Sequence, residues 1–424
     1  MPAMRTLTFG LLLSACCLAA PPEKPNILFI MADDVGDQAI GSYGGTTFAT
    51  PRIDGLAATG LRFRHAYSFP VCHPSRIAIM TGKYPFRSGR PGWGTFPKQE
   101  EAAAIGHALK EAGYATAVAG KWQLTMMRDE PDHPHRLGFD DYSLFGWHEG
   151  PRYYQPMIYQ NMKIRGDVKD RYGPDVYVEF LIDFMRRNRD RPFFAYYPMA
   201  LAHDVTDDIG KPVPLGPQGH YDSYKNMVEG IDERVGRLID ALEEMGLRER
   251  TLVVFSADNG TPKSNYYTAQ GDKMLREKIY LEADGVPIEG GKGELTDAGT
   301  RVALVANWPG VLTGGQVTDD LVDFTDFLPT FVELAGGAKR PGLDGVSFAA
   351  RLNGTGAGQR KWVFTEHVGR RWVRNERWKL YDDGRLYDMS QGRIEEKPVM
   401  LGTGNADVHE ARDALTVVFR SLGQ

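Results

Sequence analysis

Two uninterrupted apolar runs mark the chain, Asn26-Ile27-Leu28-Phe29-Ile30-Met31 ended by Ala32-Asp33-Asp34, and Thr251-Leu252-Val253-Val254-Phe255-Ser256 ended by Asp258-Asn259-Gly260. Short runs without alternation predict strands buried on both faces of a parallel sheet. Pro192-Phe193-Phe194-Ala195-Tyr196-Tyr197 predicts another strand, and Ala115 to Ala119 a shorter one. Between these runs the periodicity becomes helical. Ile105 to Ala112 precedes the strand at Ala115, and Met227, Ile231, Val235, Leu238, Leu242 and Met245 form an apolar stripe on a helix starting near Tyr221. Strands alternating with helices predict an α/β fold whose sheet is covered on both faces.

Residues 128 to 175, rich in His, Pro, Gly and Tyr, show no clear period and are expected to form long loops over the sheet. Beyond the Gly/Pro-rich stretch at 336 to 345 the pattern changes to Lys361-Trp362-Val363-Phe364-Thr365, Arg371-Trp372-Val373-Arg374 and Trp378-Lys379-Leu380-Tyr381, with Ala406 to Phe419 as a closing helix. Short strands split by turn residues predict a small antiparallel C-terminal subdomain. The expected division is a leader at 1–20, a catalytic α/β domain at 23–345 and a small α+β subdomain at 346–424. A length of 424 residues suits one large core with an appendage. With 42% hydrophobic and 25% charged residues the composition is that of a folded globular protein. A net charge of -5 speaks against nucleic acid as a partner.

Arg5, the apolar run Leu7 to Leu13, small residues and then Pro21-Pro22 form the layout of an export signal. The run is too short to span a bilayer. Leu13-Ser14-Ala15-Cys16 also resembles a bacterial lipobox, so two outcomes stay open: cleavage near Ala19 or Ala20, or a lipid anchor at Cys16. The expected location is periplasmic, secreted or lipid-anchored, with no other membrane contact.

Past that leader Cys72 is the sole cysteine, which excludes an internal disulfide framework. A lone cysteine is usually a small buried hydrophobe, but its neighbours, Cys72-His73-Pro74-Ser75-Arg76, point elsewhere. Pro74 fits the first turn of a helix running through Ile77 and Met80 to Gly82. Cys72 then sits at the positive end of that helix, and Arg76 returns to the same face four residues later. Asp33, Asp34, Asp258 and Asn259 offer only oxygen ligands, which suits calcium or magnesium and not zinc. Adjacent aspartates converge only where a strand has ended, that is, at the carboxyl edge where open α/β sheets bind ligands. Each pair taken alone is also ordinary turn chemistry.

Cys72-His73-Pro74-Ser75-Arg76 resembles the Cys-x-Pro-Ser-Arg signature of the formylglycine-dependent sulfatases of the alkaline-phosphatase superfamily. Pro25 to Asp34, Thr81-Gly82-Lys83-Tyr84-Pro85, Gly120-Lys121-Trp122, Ser256 to Gly260, Gly291-Lys292-Gly293 and Trp308-Pro309-Gly310 follow in the family's order. The resemblance implies a large mixed sheet sandwiched by helices, one calcium ion and a formylglycine made from Cys72 by a separate maturation enzyme. In such an enzyme one hydroxyl of the aldehyde hydrate attacks sulfur and expels the alcohol, and the other helps to expel sulfate. It implies metal ligation by Asp33, Asp34, Asp258, Asn259 and the residue derived from Cys72. By the same resemblance, Arg76 stabilises the formylglycine, Lys121 and Lys292 bind sulfate oxygens, and His203 protonates the leaving oxygen.

Two departures accompany it. Met199-Ala200-Leu201-Ala202-His203-Asp204 lacks the Pro-rich flanks usual around that histidine, and Gln123 stands where the family places a second one. A glutamine forms hydrogen bonds but takes no proton. His73 is expected to be structural, and His133, His135 and His148 to be pocket or surface residues. Trp147, Tyr153, Tyr154 and Tyr159 are candidates for stacking on sugar rings or for loop packing. The expected substrate is a sulfated small molecule or polysaccharide. Alternatives are a phosphodiester or phosphonate monoester hydrolase of the same superfamily, and a lipoprotein that binds sulfated glycans without turnover.

Overall fold

The apolar runs and the segments between them build one mixed sheet from β1 (Asn26–Ala32), β2 (Leu61–Tyr67), β3 (Ala115–Lys121), β4 (Asp141–Phe145), β5 (Tyr159–Gln160), β6 (Lys163–Ile164), β7 (Phe193–Pro198) and β8 (Thr251–Ala257). The computed structural model describes residues 24–146, 148–205, 213–270, 273–390, 392, 394, 395, 397–399 and 406–423. The leader and Cys16 lie outside them. Two hairpins follow β8, formed by β9 (Ser264–Gln270) with β10 (Lys273–Lys278) and by β11 (Leu281–Ala283) with β12 (Val286–Ile288). The large sheet is completed by β13 (Leu304–Asn307) and β14 (Gln316–Asp323), in the order β14-β2-β13-β8-β1-β7-β3-β4-β5-β6.

At its centre β8, β1, β7 and β3 run parallel, and β1, β3, β7 and β8 are buried along their whole length. Strands buried on both faces need apolar residues at every position, which explains the uninterrupted runs. The helices are α1 (Pro51–Ala58), α2 (Cys72–Thr81), α3 (Ile105–Glu111), α4 (His133–Arg136), α5 (Gly173–Arg187), α6 (Tyr224–Glu244), α7 (Asp297–Thr300), α8 (Phe327–Leu334), α9 (Ala349–Leu352) and α10 (Ala406–Ser421). One group, α1 with α5 and α6, and another, α2 with α3 and α8, pack on the sheet. Phe327 and Phe331 of α8 pack tilted and edge-on against Phe29 of β1, with ring centroids 4.6 and 5.4 Å away. No helix among the described residues is long and apolar enough to cross a membrane.

Residues 128 to 175 are more ordered than their lack of period suggests. Within them β4 pairs in parallel with β3, and the two-residue strands β5 and β6 extend that edge. Asp141 and Ser143 interrupt the apolar pattern of β4, so five residues carry too weak a signal to stand out. The C-terminal sheet takes the expected antiparallel form with a fourth strand, as β15 (Val363–His367), β16 (Arg370–Arg374), β17 (Trp378–Tyr381) and β18 (Leu386–Asp388). A small apolar cluster of Tyr67, Leu321, Val363, Trp372, Tyr381 and Tyr387 joins it to the large sheet.

Candidate active site

Four adjacent parallel strands deliver their carboxyl ends to one place. Ala32 of β1 and Ala257 of β8 are in register, so Asp33 and Asp258 follow side by side beyond the sheet edge. The backbone N–H of Asp258 donates to the Ala32 carbonyl at 3.0 Å. Asp34 has a left-handed backbone, φ 63°, which turns the chain there and lets both carboxylates converge. On the other side of β1, β7 leads into residues 199 to 203. Asp33 N–H donates to the Leu201 carbonyl at 2.8 Å and Ala202 N–H to the Asp33 carbonyl at 2.7 Å. β3 ends on Lys121.

Cys72 is the first residue of α2, as its flanking sequence predicts, and that helix ends at Gly82 with φ 65°. Its buried Sγ lies 3.4 Å from Asp33 Oδ1 and 3.8 Å from Asp34 Oδ1. Asp33, Asp34, Cys72 and Asp258 can each place one ligand atom so that all four lie within 4.8 Å of one another. Three cations face these carboxylates. Lys121 Nζ is 2.6 Å from Asp33 Oδ2, Lys292 Nζ is 2.6 Å from Asp34 Oδ2, and Arg76 Nη2 is 2.8 Å from Asp258 Oδ2. Arg76 also donates to the Lys121 carbonyl at 2.8 Å, tying α2 to the end of β3. Ser75, to which the sequence assigns no role, donates from Oγ to the Asp258 carbonyl at 2.6 Å and so fastens the helix to the end of β8.

The electrostatics follow from burial and these pairs. Burial first, then the charges of Asp258 and Asp33, push the Cys72 thiol well above its ordinary value against the pull of Lys121 and Lys292. Burial lowers the Lys292 ammonium, but Asp34, Cys72 and Asp33 more than reverse this and hold it above the usual lysine range. Burial, followed by Lys121 and Lys292, holds His203 well below the usual histidine value, against Asp34 and Asp33.

The donor set fits a hard cation. Asn259 donates from Nδ2 to Asp34 Oδ1 at 2.8 Å, which leaves its buried Oδ1 without a partner beside three carboxylates. An amide oxygen and three carboxylates are calcium or magnesium chemistry.

His203 approaches the cluster from the β7 side, with Nε2 4.0 Å from Asp34 Oδ2. Its Nδ1 lies 3.0 Å from Arg152 Nη1 and 2.9 Å from Asp204 Oδ1. Tyr153 OH is within 2.7 Å of the Ala200 carbonyl and 2.6 Å of the His203 carbonyl. Arg152 is a support that the sequence does not reveal, because it lies in the stretch without period, and Tyr153, a candidate there for stacking or packing, braces the same turn. Gln123 is buried just past Lys121 with φ 61°, and neither atom of its amide has a partner.

The other histidines stay outside the cluster. His73 Nε2 lies 2.8 Å from the Thr95 carbonyl, His133 Nδ1 accepts from Trp122 Nε1 at 3.0 Å, and His135 Nδ1 lies 2.8 Å from the Phe139 carbonyl. The aromatic residues of the loop region resolve towards packing. Tyr153 and Tyr159 are buried, with Tyr159 OH on Glu149 at 2.8 Å, and Tyr154 OH donates to Asp222 at 3.0 Å. Trp147 lies outside the described residues.

The Sulfatase family model matches residues 25–338, which hold every candidate site residue. Arylsulfatase A of Bos taurus is 34% identical over 398 residues, covering 86% of this chain and 74% of that protein. N-acetylgalactosamine-6-sulfatase of Canis lupus familiaris is 30% identical over 359 residues, covering 77% of this chain and 65% of that protein. Among solved structures, Ps i-CgsB in complex with k-i-k-neocarrahexaose superposes with a TM-score of 0.74 at 26% identity, over 94% of this chain and 92% of that one. Identity sustained over most of the chain, together with a family model that reaches from the first acidic strand end past the last lysine of the site, places the protein in the sulfatase family of sulfuric ester hydrolases.

Proposed function

We propose that the protein removes sulfate from sulfated carbohydrate outside the cytoplasm, using a formylglycine made from Cys72 and one calcium ion. The observation that carries this reading is the convergence of Asp33, Asp34, Cys72 and Asp258 at the carboxyl edge, with the unpartnered Asn259 Oδ1 beside them. Asp33, Asp34, Asp258 and Asn259 would hold the ion, which when bound polarises the sulfate ester and offsets the repulsion of the three carboxylates. Formylglycine would supply a hydrated aldehyde where the neutral thiol stands. Arg76, already on Asp258 and near Asp33, would hold that group in place. Lys121 and Lys292 bring positive charge to the adjacent carboxylates of Asp33 and Asp34 and suit the oxygens of a sulfate ester. His203, held at Nδ1, would deliver a proton from Nε2 to the departing alcohol oxygen once a bound anionic ester offsets the charges of Lys121 and Lys292 that depress it.

The carbohydrate class is supported by the neocarrahexaose bound to Ps i-CgsB and by the substrate named for the N-acetylgalactosamine-6-sulfatase relative. Export is supported by Arg5 and the Leu7–Leu13 run, with Cys16 as the candidate anchor.

The mass of the peptide containing position 72 tests the mechanism. Protein made in a host with the maturation enzyme should carry the aldehyde, and protein from a host without it should not. An unmodified thiol in preparations that release sulfate at full rate overturns the reading. Faster turnover of an aryl phosphodiester than of an aryl sulfate would instead favour the phosphodiester reading.

A further inference from the structure

The segment carrying Lys292 leaves the second hairpin and enters α7. Its near end is tied to the site, with Lys292 N–H donating to the Thr261 carbonyl at 3.1 Å and Gly293 N–H to the Pro70 carbonyl at 2.8 Å. Its far end is held by the C-terminal sheet. The Leu295 carbonyl accepts from Trp372 Nε1 at 2.7 Å and from Lys379 Nζ at 3.2 Å, and Tyr381 OH stands 2.9 Å from it, sharing its one proton between this carbonyl and Glu395 Oε1 at the same distance. Two residues on, the Asp297 carboxylate takes Lys379 Nζ at 2.9 Å and Arg374 Nη1 at 3.1 Å, and its N–H donates to Glu395 at 2.9 Å. Lys379 Nζ also stands 4.1 Å from the centre of the Trp372 ring.

A carbonyl has two lone pairs, and here three donors, one of them an ammonium, converge on it. Such a clamp is an expensive way to gain stability alone, since buried charges lose much of their attraction to desolvation and an apolar contact of equal volume serves as well. What three directional bonds from one rigid sheet do supply is a fixed position for one backbone atom. That atom lies three residues from Lys292, whose ammonium reaches Asp34 Oδ2 at 2.6 Å.

We infer that the C-terminal sheet is a positioning element for catalysis, in which Trp372, Lys379 and Tyr381 fix the Leu295 carbonyl and thereby the reach of Lys292. This rests on the assignment of Lys292 to the sulfate-binding site. Displacing a catalytic group by about an ångström costs up to roughly a hundredfold in rate, so loosening the clamp should be visible in turnover.

The test is a double-mutant cycle on an aryl sulfate, with inorganic sulfate as inhibitor and thermal unfolding as the check on folding. Tyr381→Phe removes one donor, together with its bond to Glu395, and keeps the ring; it should lower kcat/KM roughly tenfold and weaken sulfate inhibition several-fold. In a Lys292→Ala background the same change should cost less than about twofold, because the group it positions is gone. Trp372→Phe should behave alike. Equal losses in both backgrounds would mean that the sheet acts on the fold at large and would overturn the inference. A Lys292→Ala enzyme with wild-type kcat/KM would remove the Lys292 assignment, and the inference with it, and is distinguishable because the single variant alone shows it.

Discussion

Two clusters of buried charge lie on either side of the Lys292 segment, and their bonding differs. Around Asp297, every side-chain nitrogen and oxygen of Arg374, Lys379 and Glu395 has a protein partner, and so has each carboxylate oxygen of Asp297. At the carboxyl edge, Asn259 Oδ1 and both amide atoms of Gln123 have none, although all are buried. Leaving a buried polar group unpaired costs about 1–3 kcal/mol, so a fold keeps such groups where something else will pair with them. Here the ion pairs around Asp297 are saturated, whereas the unpaired amides at the carboxyl edge lie beside the carboxylates and lysines of the candidate site. Both clusters look the same as lists of charged residues.

The largest separation between the clusters should come from removing one carboxylate in each. Asp258→Ala takes away a proposed metal ligand and the partner of Arg76, and should lower kcat/KM by at least about a thousandfold while the protein still folds. Full turnover of this variant after exhaustive chelation would reassign the metal site.

Asp297→Asn should do the reverse, acting first on stability. It takes the carboxylate partner from buried Arg374 and leaves Lys379 with Glu395 alone, at a cost of roughly 3–5 kcal/mol, read from the urea midpoint. Burial alone would raise this carboxyl, but Lys379, Arg374 and Arg301 outweigh it and hold it below its ordinary range. A depressed folded-state pKa gives stability that is present above the unfolded value near 4 and lost as pH falls below it. The variant should therefore lose part of the acid sensitivity that the parent shows below about pH 4. An unchanged acid limb would show that Asp297 is not the group responsible.

Removal of the proposed calcium ion should act at smaller amplitude. An ion that binds only the folded state adds about 2.7 kcal/mol at a hundredfold excess over its dissociation constant. Chelation should lower the midpoint accordingly in the parent, and readdition should restore it. Asp258→Ala should show little response to either, whereas Asp297→Asn should respond as the parent does. A parent midpoint indifferent to calcium would leave three packed carboxylates balanced by Arg76, Lys121 and Lys292 alone.

Why one cluster was legible in the sequence and the other was not follows from how each is encoded. Asp33-Asp34 and Asp258-Asn259 each follow an apolar run, so strand prediction carries the acidic pairs to the sheet edge, and Pro74 and Gly82 bracket the helix that presents Cys72. Periodicity and turn chemistry are local signals, and these residues sit where such signals are strong. Arg152 belongs to a stretch without period, and its approach to His203 depends on how residues 150 to 154 fold over β7. The clamp on Leu295 joins residues 77, 84 and 86 positions apart, through side chains that read as ordinary members of short strands. Nothing in the spacing of Trp372, Lys379 and Tyr381 announces a shared acceptor. The strand at Asp141–Phe145 was hidden for a simpler reason, a polar residue at Ser143 that is nonetheless buried.

The smallest effect concerns Gln123, where the site departs from the pattern it otherwise keeps. Its amide is buried, unpartnered and carried on a left-handed backbone just past Lys121, which is a costly way to fill space. If it binds substrate, Gln123→Ala deletes one or two hydrogen bonds and should reduce kcat/KM roughly three- to tenfold, the range of a neutral hydrogen bond, without loss of stability. Gln123→His restores a ring that can exchange protons, so it should change the rate of sulfate release and give the pH–rate profile a limb that the parent lacks. The two variants separate the explanations. A loss in Gln123→Ala with an unaltered pH profile in Gln123→His assigns the residue to binding alone. A new limb in Gln123→His shows that position 123 reaches the atoms that exchange protons, and that the parent performs that step without an imidazole there. Rates and profiles unchanged in both would place Gln123 outside the chemistry and leave its unpaired amide to a bound water.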